Sequence, residues 1–210
     1  MQSLDNFLPH LLPWVIGCPT PLAHQELVRS ARLFCEETNV VVRVVTATLF
    51  KGESTYDIDL DTDTDATRIL AAWIGDQKLH VPTARLATHQ TVVGNDGQGH
   101  PIVVTSTGPN SVTLTPAPDK NYEQLLTVEV ATRPKITARV LDDSLYTKWL
   151  EGVVSGAVGG IAAMPGQPYS DMIQASAAEA RFWRAVNRAR IEAQRGPVGT
   201  TLRVRNTPLV

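Results

Sequence analysis

The chain has 210 residues, 43% of them hydrophobic and 19% charged, a balance that excludes a disordered protein and suits one globular domain or one carrying a smaller insert. A formal charge of −2 excludes nucleic-acid binding driven by bulk charge. With Cys18 and Cys35 as its only cysteines the chain has no disulfide framework, which fits a reducing, cytosolic setting.

The opening stretch MQSLDNFLPHLLPWVIGC is apolar, lacks a basic start and is interrupted by Pro9 and Pro13. It reads as an ordered, extended arm and not as a signal peptide. The first long helix follows, with Thr20 as N-cap, Pro21 at the first helical position, and Ala23, Leu27, Ala31 and Phe34 on one face.

From residue 39 to 137 the pattern changes to strands. NVVVRVVTATLF is β-branched and alternating, and STYDIDLD alternates Tyr56, Ile58 and Leu60 with polar partners. ATRILAAWI is ambiguous: its composition favours a helix capped by Asp65, while its neighbours favour a strand. GNDGQG at 94–99 reads as a hairpin loop, because no helix follows it to receive a phosphate. PIVVTS, a turn at Gly108-Pro109-Asn110, and SVTLTP make a hairpin. EQLLTVEVATRP places Leu126, Val128 and Val130 on one side.

The next helix is capped by Asp142, Asp143 or Ser144, carries Leu145, Trp149 and Val153 at helical spacing, and ends at Pro165-Gly166. Its uncharged run from Gly152 to Met164 has thirteen residues, whereas a membrane span needs about 20. Gly152, Gly156 and Gly160 recur every four residues on one face. Each costs roughly 1 kcal/mol against alanine in a helix, so the face is read as a packing surface that another backbone approaches. A second helix starts at Ser170 or Asp171 and runs to about Gln194, with Ala175, Ala178, Phe182, Ala185 and Ala189 as a small-residue seam. The tail GPVGTTLRVRNTPLV alternates Leu202 and Val204 with Arg203 and Arg205, a strand pattern suited to ordering on a partner. There is no internal repeat and no low-complexity segment.

The expected architecture is α+β, a helical bundle from both chain ends with an inserted small antiparallel β-domain and an extended C-terminal tail. The divisions are 1–38, an arm and first helix; 39–137, the β-insert; 138–195, two long helices; and 196–210, the tail.

Catalytic patterns are weak throughout. DIDLDTDTD sets Asp57, Asp59, Asp61, Asp63 and Asp65 at alternate positions, so in an extended chain they share one face and could attract calcium. Counted from Asp57, an EF-hand needs glycine and glutamate where Thr62 and Arg68 stand, so a solvated acidic strand that resists edge pairing is the preferred reading. His10, His24, His80, His89 and His100 are scattered without zinc spacing. Ser155 lies inside a helix and not on a nucleophile elbow, and Cys35, beside Phe34, reads as a buried structural thiol. Trp14, Trp73, Trp149 and Trp183 are spread as core or interface anchors. The chain is therefore read as neither an enzyme nor a cofactor or metal protein.

Four stretches carry a resemblance: PWVIGCPTPLAHQELVRSARLFCEET, LTPAPDKNYEQLLTVEVATRPK, LDDSLYTKWLEGVVSGAVGGIAAMPGQPYSD and ASAAEARFWRAVNRAR. In their order, over most of residues 11 to 195, the chain resembles the head-to-tail adaptor proteins of tailed bacteriophages. The resemblance implies a structural virion protein in the neck between head and tail, assembled in the host cytoplasm. It implies a ring, usually dodecameric, docked beneath the portal, around the DNA exit channel and above a downstream tail or nozzle protein, with no membrane role. It also implies that the C-terminal tail reaches the portal, which makes Leu202, Arg203, Val204 and Arg205 the portal-binding candidates. Arg181, Arg184 and Arg188 are candidates for facing the channel, with non-specific contact to passing duplex DNA, or for contact between subunits. Alternatives are another neck or tail-completion ring protein, or a calcium-binding module or metal-dependent enzyme built on the run Asp57 to Asp65.

Overall fold

The computed structural model describes residues 1–82, 97–108 and 110–195. His89, Pro109, the start of the 94–99 loop and the tail with Leu202, Arg203, Val204 and Arg205 lie outside the described residues. The protein is mixed α/β with several small antiparallel sheets, compatible with the α+β class. The chain divides into two compact units: Met1–Val40 with the described part of Leu141–Val210, and Val41–Val140.

The N-terminal stretch differs from the expected extended arm. After a two-residue strand β1 (Gln2–Ser3), it winds through a 3₁₀ turn (Leu4–Phe7), the short helix α1 (Leu8–Leu11) and a second 3₁₀ turn (Leu12–Trp14). Pro9 and Pro13 each fall in the first positions of a helical turn, where a missing N–H costs nothing, so they permit these turns instead of interrupting them. The buried residues Leu4, Phe7, Leu11 and Val15 follow a helical spacing that carries the same information. Helix α2 spans Thr20–Thr38; Thr20 is its first residue, and Pro19 occupies the N-cap without a side-chain bond. It ends on Asn39, whose φ of 52° is the left-handed conformation that asparagine tolerates.

The second unit holds β2 (Val42–Ala47), β3 (Thr55–Asp57), β4 (Thr64–Ile74), β5 (Gln77–Lys78), β6 (Gln98–Gly99), β7 (Val103–Gly108), β8 (Ser111–Thr115), β9 (Ala117–Pro118) and β10 (Leu126–Pro134). One sheet runs β2-β10-β4-β5 and another β3-β8-β7, both antiparallel, while β6 pairs with β9 in parallel. The ambiguous ATRILAAWI is strand β4. It pairs with β10 from Ile74 opposite Leu126 to Thr64 opposite Pro134, and this pairing overrides a helix propensity that is only a weak prior. Two register shifts, after Glu129 and after Ala131, explain why the burial of Leu126, Val128 and Val130 gives way to consecutive buried residues at Ala131 and Thr132. The core of this unit joins Ile69, Ile74, Val104, Leu114, Leu126 and Val130 around Tyr56 and Tyr122. The expected hairpin is present as β7 and β8, Val103 facing Thr115.

After β11 (Val140–Leu141), the helix expected from Asp142 onward is two helices, α3 (Asp143–Thr147) and α4 (Leu150–Ala162). Asp142 caps the first, accepting from the Ser144 amide at 2.9 Å. The break falls at Trp149, whose φ of −118° and ψ of 14° are not helical. Its ring is buried and lies 5.6 Å from that of Phe34 on α2. Helix α5 (Met172–Arg195) is capped by Asp171, which accepts from the Ile173 and Gln174 amides at 2.9 and 3.0 Å.

Candidate functional site

Helices α2, α4 and α5 pack through the expected small residues, but not in the expected way. A Cβ at Gly152 would stand 2.7 Å from the Ala185 Cβ and 3.3 Å from Phe34, and one at Gly156 would stand 2.6 Å from Phe182 and against the Ser30 hydroxyl. One at Gly160 would meet the Glu26 carboxylate and Arg29. The atoms nearest these three positions are therefore side chains from α2 and α5. Backbone of α5 comes near at Gly159, which the four-residue spacing left out: a Cβ there would be 3.5 Å from the Glu179 nitrogen and 3.6 Å from the Ala175 carbonyl oxygen. The Ser30 hydroxyl donates to the Val153 carbonyl at 2.7 Å and ties α2 to α4.

A groove of about 330 Å³ lies on the side of α4 that carries Gly156, Gly159 and Gly160, with Met172 and Trp183 exposed beside it. Arg29 donates to the buried Glu26 carboxylate at 2.8 Å, and Glu179 is a second acid on the lining. A larger cleft, about 770 Å³, opens where α1 and the turn after it meet α4 and α5. Gly152, Ser155 and Ala185 are among its small lining residues, and Arg181, Arg184 and Arg188 line it from α5 at positions i, i+3 and i+7.

These three arginines are held by cation–π and backbone contacts. The Arg181 guanidinium lies 4.9 Å from the Trp14 ring centre and that of Arg188 lies 5.9 Å from the Trp149 ring. Arg184 donates back to the Ala180 carbonyl at 3.2 Å. None of the three has a carboxylate partner among the described residues. The other cation of the cleft, Lys148, is neutralised by Glu192 at 2.9 Å, while Glu151 is the single acid on the lining. The cleft is accordingly basic, with apolar walls and Trp14 49% exposed at its edge.

The aspartate run is not one continuous strand. Asp57 ends β3, Asp65 lies in β4, and the chain between them turns, with the Thr64 amide bonded to the Asp61 carbonyl at 2.9 Å. Up to Asp61 the alternation holds: Tyr56 and Ile58 are buried, and Asp57, Asp59 and Asp61 are exposed. Beyond it the carboxylates separate. Asp63 accepts from the Arg139 amide at 3.3 Å, and Asp61 stands 3.7 Å from Arg43. Among the described residues no three His, Cys, Asp or Glu side chains converge to hold a metal ion.

The remaining candidates are structural in their surroundings. His100 Nδ1 lies 2.7 Å from the Tyr122 hydroxyl and its Nε2 contacts Gln77, so both ring nitrogens are engaged. Burial, and then the hydrogen bond to Asp119, push the Tyr122 hydroxyl up to about 12. Cys18 and Cys35 are both free and buried, and burial pushes the Cys35 thiol far above the range of a nucleophile, with Asp142 and Glu36 adding to the rise. Ser155 lines the basic cleft and makes no side-chain hydrogen bond among the described residues. Among the described residues no helix is long and apolar enough to cross a membrane.

The sequence singled out the three arginines but not the cleft. Trp14 and His10, both in the segment read as extended, complete it. Comparison with protein-family models gives no match, and a search of curated proteins finds none similar to this chain.

Proposed function

We propose that this chain is a structural subunit of a virion neck, a head-to-tail adaptor that forms a ring between the portal and the tail around the DNA exit channel. In this reading the two chain ends together make a helical bundle, the β-unit is its insert, and residues 196–210 are a tail that binds the portal. The observation that carries it is the order of parts: a proline-led helix, a β-unit closed by a strand ending in Pro134, a helix ended by Pro165-Gly166, and a long arginine-bearing helix. That order is the one in which the four sequence stretches resemble the adaptor proteins. Leu202, Arg203, Val204 and Arg205 are the portal-binding residues of this proposal, and Arg181, Arg184 and Arg188 face either the channel or a neighbouring subunit. Native mass spectrometry with and without portal rings of the same phage tests it. A defined multimer seated on the portal supports the reading, and a monomer that ignores the portal overturns it.

A further inference from the structure

We infer that the basic cleft takes the exposed acidic edge of a second copy of this chain, the segment Glu53 to Asp61, in a head-to-tail contact. The two surfaces match in charge. Arg181, Arg184 and Arg188 have no carboxylate partner among the described residues, and neither Glu53, Asp57 nor Asp59 has a cationic one. Glu53, Asp57 and Asp59 are exposed. They also match in spacing. A helix rises about 1.5 Å per residue, so Arg184 and Arg188 are set roughly 6 Å apart along α5. Alternate residues of an extended chain are roughly 6.6 Å apart, the spacing expected between Asp57 at the end of β3 and Asp59 just beyond it.

Shape decides between possible polyanions. A cleft of about 770 Å³ with small residues on its lining admits an extended peptide edge. A DNA duplex is a convex rod and would meet only the rim. Trp14 and Trp149 add to the match, because the Arg181 and Arg188 guanidinium groups held over their rings are partly oriented when the acids arrive. The cleft and the acidic edge are different patches, so the contact is heterologous: it leaves one cleft and one edge unused in any open chain and closes only as a ring. The contact does not depend on the adaptor reading, and testing it requires no portal.

The test is sedimentation velocity of the full chain over a concentration series at low and at high salt. Wild type is expected to associate with concentration, and less at high salt. Arg184→Glu with Arg188→Glu, and separately Asp57→Lys with Asp59→Lys, should each weaken association at least about tenfold while leaving the melting curve unchanged. An equimolar mixture of the two double variants should associate again, because the cleft of one finds the native edge of the other and the two reversed surfaces also match. A wild type that stays monomeric at every concentration overturns the inference, as does association that both reversals leave intact. Binding of a short DNA duplex that Arg184→Glu with Arg188→Glu abolishes, in a chain that does not self-associate, reassigns the cleft to nucleic acid.

Discussion

Gly156 and Gly159 lie on the same helix three residues apart, yet replacing each with alanine should move stability in opposite directions. At Gly159 a Cβ meets its nearest atoms at 3.5 and 3.6 Å, ordinary van der Waals distances. Gly159→Ala therefore keeps the packing and gains about 0.4–1 kcal/mol from the lower entropy of the unfolded chain. At Gly156 the new methyl stands 2.6 Å from the Phe182 ring and against the Ser30 hydroxyl. Phe182 is held between Phe34 and Trp183, at centroid distances of 6.1 and 5.3 Å, and cannot swing away freely. Overpacking of this kind costs about 1–3 kcal/mol, and a displaced Ser30 leaves the buried Val153 carbonyl bond broken at a similar cost. Set against the same conformational gain, the net loss is about 3 kcal/mol. For a chain of this size that corresponds to a fall in Tm of about 6–12 °C, against a rise of roughly 1–4 °C for Gly159→Ala. Gly156→Leu, which must place an isobutyl group in the same space, should leave the protein insoluble or unfolded. Thermal and urea unfolding read all three. A Gly156→Ala variant as stable as Gly159→Ala, or a soluble Gly156→Leu variant with an unchanged Tm, would refute the packing argument.

Replacing Asp59, Asp61 and Asp63 with asparagine should leave folding intact, since an asparagine oxygen still accepts from the Arg139 amide, and millimolar calcium should not shift the Tm of wild type or variant. A calcium-dependent gain of several degrees that only the wild type shows favours the metal reading instead. Truncation after Arg195 should leave the melting curve unchanged and abolish stable binding to portal rings, and Arg203→Glu with Arg205→Glu should weaken that binding more at low salt than at high salt. A truncated protein that co-sediments with portal at wild-type stoichiometry removes the tail from the interface. Tyr122 supplies a pH test: its folded-state value, about 12, lies above the ordinary 10.0, so its stabilisation is complete below pH 10 and is lost as pH rises through about 12. Tyr122→Phe should flatten that part of the alkaline loss in urea midpoints measured at stepped pH, and an identical alkaline profile would show that the buried hydroxyl does not contribute.

The sequence carried the helices with strong signals at both ends. Asp171 and the Pro165-Gly166 stop are local chemistry, and local chemistry is legible in a single chain. What it could not carry was pairing. ATRILAAWI became strand β4 because β10 lies alongside it, a partner more than fifty residues away in the chain. The N-terminal segment reads as extended only if proline interrupts helix, and at the start of a turn proline is compatible with it. The site was visible only in part for the same reason. Spacing put Arg181, Arg184 and Arg188 on one face of α5, but the cleft exists because Trp14 and His10 arrive from the other end of the sequence. The glycine spacing identified a crowded face, while the identity of the crowding groups is a tertiary fact.

The two hollows flanking α4 share one origin and differ in one respect. Both exist because α4 has few long side chains: Gly156, Gly159 and Gly160 line one, and Gly152 and Ser155 line the other. Small residues thus bring α4 close to its neighbours and leave hollows beside the contact. In the smaller hollow, Glu26 and Arg29 neutralise each other within one turn of α2. In the larger, Lys148 is neutralised by Glu192, but Arg181, Arg184 and Arg188 contact aromatic rings and backbone carbonyls and have no carboxylate partner among the described residues. A guanidinium on a solvated helix face gains little from any single surface pair, so packing does not require three of them to converge on one concavity. Convergence of uncompensated charge over a preformed, partly apolar cleft is what contact with an acidic partner requires. On that ground the larger hollow, with three uncompensated guanidinium groups, has what the proposed contact with an acidic edge needs, and the smaller one, where Glu179 stands beside the Glu26–Arg29 pair, does not.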